Sequence, residues 1–439
     1  MSDESHGTMP LTPEQRAILF ESLNDGMSIY ALQVRCLVQP FQPGAFQEAW
    51  ARTVARHEML RARFRWTGQP APTQEFPAGA PAPVPMVSVR GGAPDRLRTV
   101  ATRLFDEQFE REIDLERDRA VTPYAVHDGE SAYVCWTSHH IVMDGVSSRI
   151  MLRDLTEEYD RLLAGEPDVV SAPAGSFLAY VRWRQANPPA AAPAETMPDR
   201  TGRLVGALGG TRAPGQQRRI IRPFAADLMD RVRAAARRSG VTVATLVHGA
   251  WALTVAGRTG EDPVRFGVVG YGRPHQVAGS ADTIGNFVAT TPLLLPVTPE
   301  APLDRWLGDV QAGLARAWTA EQRRALDADS ILVVSHFPPI EQFTGSRTGC
   351  RIEFLDVVDH APHPIVAAAM IGDPALLLLH VNGVRLPAGR AESLADDFLR
   401  CLGALAEVDP ADADVATVCR AAGSHPAPTL EGLATNATA

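Results

Sequence analysis

Cysteine is scarce in this chain: five residues in 439, Cys36, Cys135, Cys350, Cys401 and Cys419, with no C-x-x-C pair. An odd number at wide spacing suggests neither a disulfide framework nor a zinc site and fits a reducing compartment. Long apolar runs are lacking as well. The richest stretch, Ile365 to Val384, is interrupted by Asp373 and Pro374. No segment therefore has the ~18 uncharged apolar residues of a membrane-spanning helix. Basic charge is not in excess: 42 Lys and Arg stand against 51 Asp and Glu, a net charge of -9, and no Lys/Arg-rich tract is present. Such a balance provides no field for holding a phosphate backbone, so nucleic acid is not an expected partner. The amino terminus, Met1-Ser2-Asp3-Glu4-Ser5-His6, has neither the basic start nor the apolar middle of a secretion signal, and the expected location is cytoplasmic.

What is present is an ordinary globular composition, 45% hydrophobic and 21% charged. The length exceeds what one hydrophobic core usually serves, so two domains are expected. Residues 187–217 are rich in Pro, Ala and Gly without a helix or strand period, which makes them the expected linker between domains at 9–186 and 218–420. Residues 421–439 are small and polar, an expected disordered tail. Thr12, Pro13 and Gln15 are start signals for a helix. Strand-like runs at 30–37 and 133–137 alternate with helical patterns at 46–57 and 95–109. In the second half, 227–238 reads as a helix stopped by Gly240, Thr242 as the cap of the next, and 264–269 as a strand. This alternation predicts an α/β architecture.

The segment His139-His140-Ile141-Val142-Met143-Asp144-Gly145 lies between a strand candidate and an amphipathic helix predicted from about Ser147 to Leu163. Strand ends are common places for catalytic groups. An imidazole that titrates near neutral pH can take a proton from an incoming amine or hydroxyl as it attacks an acyl carbon. One histidine suffices for that; the other, with Asp144, would orient the turn, and Gly145 would let its backbone come close to substrate. A buried Asp144 would need a partner. Two other readings remain open for these residues. Adjacent histidines could bind a metal, although they point to opposite sides of an extended chain and no third ligand stands at a recognisable spacing. They could also be satisfied core histidines beside a capping aspartate.

Beyond this segment the chain resembles the condensation domains of non-ribosomal peptide synthetases, within the chloramphenicol acetyltransferase-like superfamily. Leu11-Thr12-Pro13-Glu14-Gln15 is similar to the family's opening motif, and Arg56-His57-Glu58-Met59-Leu60-Arg61-Ala62-Arg63-Phe64 to its R-H-E-x-L-R-x-x-F motif. His139 to Gly145 is similar to its H-H-x-x-x-D-G signature, and Ser176 to Trp183 to its Y-x-D-Y-A-x-W element. Gly272-Arg273-Pro274 and Ile284 to Pro292 are similar to its G-R-P and I-G-x-F-V-N-T blocks. The resemblance implies two chloramphenicol acetyltransferase-like subdomains in a V-shaped pseudo-dimer with a central tunnel. It also implies His140 as the residue nearest the new bond, a structural salt bridge between Asp144 and Arg61, and Gly145 beside the channel. No bound cofactor is implied: the acyl group would arrive on the phosphopantetheine arm of a peptidyl or acyl carrier protein and pass to a small amine or alcohol.

Departures from the pattern are Ala289 in place of Asn, Val146 where Trp is frequent, and an unclear final motif between Asp327 and Thr348, where Ser335-His336-Phe337-Pro338 is a crossover candidate. Leu208-Gly209-Gly210-Thr211 lacks the serine of a carrier attachment site and reads as a turn, so the carrier is expected in trans. Arg218, Arg219 and Arg222 are candidates for receiving an acidic carrier. Coenzyme A-dependent acyl transfer, an epimerising activity, and a silent docking module are the other expectations compatible with the same residues.

Overall fold

The computed structural model describes residues 8–27, 29–77, 82–89, 94–166, 175–188, 203–319, 328–336 and 342–423. The chain divides into two compact units. One comprises residues 1–188, 271–288 and 340–361, and the other 189–270, 289–339 and 362–439.

The first unit opens with the helix Pro13–Asp25, closed by the predicted capping box. The Gln15 N–H donates to Thr12 Oγ1 at 3.2 Å, and the Thr12 N–H donates back to Gln15 Oε1 at 3.0 Å. Its sheet runs Gln342–Thr344, Arg351–Asp359, Ala31–Gln39, Ala132–His139, Val121–His127, Met86–Ser88, antiparallel except for the last pair. Side chains alternate across its two faces. Val134 and Trp136 join a large core with Trp50 of the helix Pro43–Arg56 and Met151 and Tyr159 of the helix Gly145–Leu163. Cys135 and Val126 face the other way and meet Leu97, Ala101 and Phe105 of the helix Pro94–Phe109.

The second unit has a six-stranded mixed sheet in the order Val288–Leu295, Val264–Tyr271, Ser330–Ser335, Ile365–Met370, Leu376–Arg385, Thr211–Pro223. The helices Leu228–Arg238, Val243–Thr259 and Arg390–Glu407 pack into one apolar core with Trp251 and Phe398 at its centre. Gly240 takes a left-handed φ of 64° and the Thr242 side chain caps the helix that follows, as the sequence predicts; Gly260, at φ 67°, ends that helix. Among the described residues no single helix is long and apolar enough to cross a membrane. The bent pair Leu228–Arg238 and Val243–Thr259 passes by composition, and both helices contribute to this buried core.

Two boundaries differ from those expected. The proposed linker is not irregular throughout: it contains the helix Arg203–Ala207 and most of the strand Thr211–Pro223. That strand pairs on one side only, with Leu376–Arg385, and an edge strand tolerates the Pro and Gly that hid its period. The turn at Gly209 and Gly210 is the predicted one, with the Gly210 N–H donating to Val205 O. Nor is the second half one contiguous domain. Residues 271–288 and 340–361 belong to the first unit, the latter because the strand Arg351–Asp359 joins Ala31–Gln39 through eight residue pairs, with a bulge between Phe354 and Asp356. The segment that crosses is thus Arg351–Asp359; Phe337 and Pro338 of the expected crossover, and the tail from 424, lie outside the described residues.

Candidate active site

The strand Ala132–His139 ends at the first histidine, and the helix Gly145–Leu163 begins six residues later, so His140 to Asp144 form the turn between them. Asp144 is the helix cap: its Oδ1 accepts from the Ser147 N–H at 2.7 Å and from the Ser147 hydroxyl at 2.8 Å. The same carboxylate is buried, 2% exposed, and its partner cation is Arg273, whose Nη2 lies 2.9 Å from Oδ1. Arg273 is itself fixed by the carbonyls of Ser280 and Thr283 at 2.9 and 2.6 Å, and its guanidinium lies 4.2 Å from the centre of the Phe287 ring. The Phe287 N–H donates to Asp144 Oδ2 at 3.3 Å, and Ser147 Oγ accepts from the Gly285 N–H at 3.0 Å. A side chain at Gly285 would put its Cβ 2.1 Å from the Phe177 ring, so glycine is required there. The G-R-P and I-G-x-F blocks therefore fasten onto the turn.

The expected Asp144–Arg61 salt bridge is replaced by this one. Arg61 closes the one-turn helix Glu58–Arg61, and its Nη1 donates to the carbonyls of Val54 and Ala55 at 2.9 and 2.5 Å, with Nε reaching Pro77 O at 3.3 Å. It serves the carbonyl end of the helix Pro43–Arg56, where a cation meets the negative end of the helix dipole. Its motif neighbours are also scaffolding. His57 Nε2 lies 2.8 Å from Asp154, and Glu58 accepts from Ser176 Oγ and the Leu178 N–H at the start of the helix Phe177–Ala186.

The two histidines have different environments. His139 is fully buried; its Nδ1 accepts from the Ile141 N–H at 3.2 Å and its Nε2 lies 3.3 Å from Ser22 Oγ. Burial first, and then the neighbouring His140, push its pKa down to about 3, so it is a neutral structural ring. His140 keeps a quarter of its side chain exposed. Its Nδ1 lies 3.2 Å from Met143 O, an arrangement in which the N–H donates to the carbonyl and the Nε2 lone pair is left for proton transfer. Nε2 faces Asp359 Oδ1 at 3.5 Å. Burial lowers the His140 pKa, but the Asp359 charge, the Met143 carbonyl and Asp144 outweigh it and hold the ring above the ordinary histidine value. The nitrogens of the two rings face separate partners rather than one point, which does not suit a shared metal. Gly145 is exposed at the first helical position, and a Cβ there would meet no atom within 4 Å.

Sequence reasoning missed Arg273 as the ion partner, Asp359 facing His140, and Ser22 and Tyr30 against the histidine rings. The G-R-P block carried a signal for Arg273; nothing local marked Asp359, which depends on strand register. The arginines offered for carrier docking are engaged: Arg218 pairs with Glu392, and Arg222 with Asp396 at 2.9 Å, while Arg219 also has a partner. His336 is an exposed residue after the strand Ser330–Ser335.

Comparisons with known proteins converge on one family. The family model for the condensation domain matches residues 5–195 and 210–324. A component of the linear gramicidin synthase of Brevibacillus parabrevis is 26% identical over 433 residues, which is 92% of this chain and 6% of that protein. The chain thus spans less than a tenth of the length of that relative. Among solved structures, the first condensation domain of the calcium-dependent antibiotic synthetase, in complex with a substrate analogue, superposes with a TM-score of 0.68 at 21% identity, covering 94% of this chain and 99% of the other. The X-domain from teicoplanin biosynthesis, in its complex with OxyB, gives 0.70 at 19%, covering 94% and 97%.

Proposed function

The chain belongs to the condensation-domain family, and on that premise we propose that it joins a thioester-activated acyl or aminoacyl group to an amine or alcohol, with His140 handling the proton. The observation that carries this reading is the contrast at one dipeptide. His139 is sealed in the core and neutral, whereas His140 is accessible, pinned at Nδ1, and offers Nε2 to a substrate. The donor is proposed to arrive on the phosphopantetheine arm of a peptidyl or acyl carrier protein supplied as a separate chain, with no resident cofactor.

The chemistry asked of the protein is modest, because a thioester is already activated. Nε2 takes a proton from the acceptor as its nitrogen or oxygen bonds to the acyl carbon. The C–S bond breaks, and the proton passes to the leaving sulfur. The Asp144–Arg273–Ser147 network holds the turn so that this ring stays in place.

Intact-mass measurement of an acyl-loaded carrier protein, with the chain and a panel of amines and alcohols, tests the proposal. Acyl loss from the carrier with a matching amide or ester supports it and identifies the bond. A second reading, a silent docking module, is favoured by the likeness to a domain solved in complex with OxyB. Retention of the acyl group on a carrier that binds the chain would support that reading and count against catalysis.

A further inference from the structure

A histidine that gains a proton during a reaction is helped by an anion beside it, and the sheet of the first unit places one there. The strand Ala31–Gln39 lies between Ala132–His139 and Arg351–Asp359, with Ala31 opposite His139 and Leu32 opposite Asp359. Both flanking strands end at the same edge of that pairing. Tyr30, just before the central strand, ties the two ends together: its carbonyl accepts from the His140 N–H at 2.9 Å, and its own N–H donates to His360 O at 2.8 Å. Among the described residues Tyr30 is the one non-glycine with positive φ, 66°. An aromatic residue holds that conformation only where its surroundings over-determine it. Here the surroundings are those two hydrogen bonds, the bond from its hydroxyl to Glu21, and ring contacts to both histidines at 6.3 and 6.2 Å.

From this geometry we infer that Asp359 is a positioning residue for the reaction. Its carboxylate, 3.5 Å from Nε2 and, like His140, partly exposed, orients the reactive edge of the ring and balances its charge while the acceptor's proton is held there. The inference rests on the function proposed above. The other titratable groups against His140 do not fill this role. Asp144 is paired with Arg273, His139 is neutral, and Tyr30 presents its ring face-to-edge. The upward displacement of the His140 pKa, with Asp359 as the leading cause of the rise, agrees with the placement. In the step itself Nε2 accepts one proton from the acceptor N–H or O–H, the carbon–nitrogen or carbon–oxygen bond forms, and the carbon–sulfur bond breaks. The thiolate takes the proton from Nε2, returning the pair to its starting state; an acceptor that enters as an ammonium releases its additional proton to water.

The test uses the full chain in two measurements. Nuclear magnetic resonance titration of the histidine rings, with His140 assigned by its loss in His140→Ala, should show the His140 midpoint falling by about one unit or more in Asp359→Asn and staying near wild type in Asp359→Glu. In the carrier assay the acid limb of the kcat/KM profile should move to lower pH in Asp359→Asn, with a lower plateau because the base is weaker. An unchanged midpoint overturns the pairing. A lowered midpoint with an unmoved acid limb overturns the part of Asp359 in the reaction. Wild-type protein that transfers no acyl group to any acceptor contradicts the proposed function instead, and the ring titration still decides whether the pair exists.

Discussion

The two units share a plan, a six-stranded sheet with helices packed on it, yet they treat buried histidines differently. In the second unit buried histidines are isolated: His248 has a ring nitrogen 2.7 Å from Ala244 O and stacks on Phe266, and His363 has one 3.3 Å from Ala328 O. In the first, His139, Asp144, Ser147 and Arg273 are concentrated near one end of a strand and hydrogen-bonded to one another, to Ser22 or to backbone, with Arg273 Nε alone among their polar atoms left without a partner. Concentrating polar groups in a core is costly unless every member is satisfied, so such a network marks the place where position matters more than stability. The signature is therefore a frame around one partly exposed histidine ring.

The sharpest way to break that comparison is to remove Arg273. Arg273→Ala strands a buried carboxylate and should cost about 3–5 kcal/mol, seen in melting and in soluble yield. Arg61→Ala removes carbonyl contacts only and should cost about 1 kcal/mol. If Arg61 proves the costlier residue, Asp144 is not held as described.

The second unit should reveal its own weakness in acid. His248 and His363 are pushed by burial to about 4 from an ordinary 6.5. Between those values the unfolded chain binds protons that the folded chain does not, so stability falls as pH falls through that window, by at most about 3 kcal/mol for each ring. Replacing His248 with Leu should flatten the dependence of melting temperature on pH; an equally steep slope would show that this ring is not desolvated.

His139→Leu tests whether the inner histidine is frame. It leaves the Ile141 N–H without its acceptor and should cost about 1–3 kcal/mol. His140→Leu should melt close to wild type, because its ring is partly solvated. Smallest of all, Arg222→Ala should change stability by less than about 1 kcal/mol, as expected for an exposed ion pair.

Much of this was legible in the residues. The capping box, the left-handed glycine, the strand–turn–helix at the signature and the α/β class all follow from local chemistry, as at Thr12, Gly240 and Asp144. What was not legible depended on pairing between distant segments. Arg61 and Arg273 are both arginines in motif blocks, and only the path of residues 271–288 decides which of them meets Asp144. Asp359 ends a strand whose place beside Ala31–Gln39 no local period announces. The strand Thr211–Pro223 was concealed because its order comes from one neighbouring strand rather than from an alternating pattern of its own.

The central claim is that His140, and not its neighbour, carries the chemistry. It is tested most directly by single-turnover acyl transfer from a loaded carrier protein, comparing wild type with a folded His140→Ala variant. A loss of at least about tenfold, at unchanged melting temperature, is the predicted result. Transfer at the wild-type rate by that variant would contradict the account.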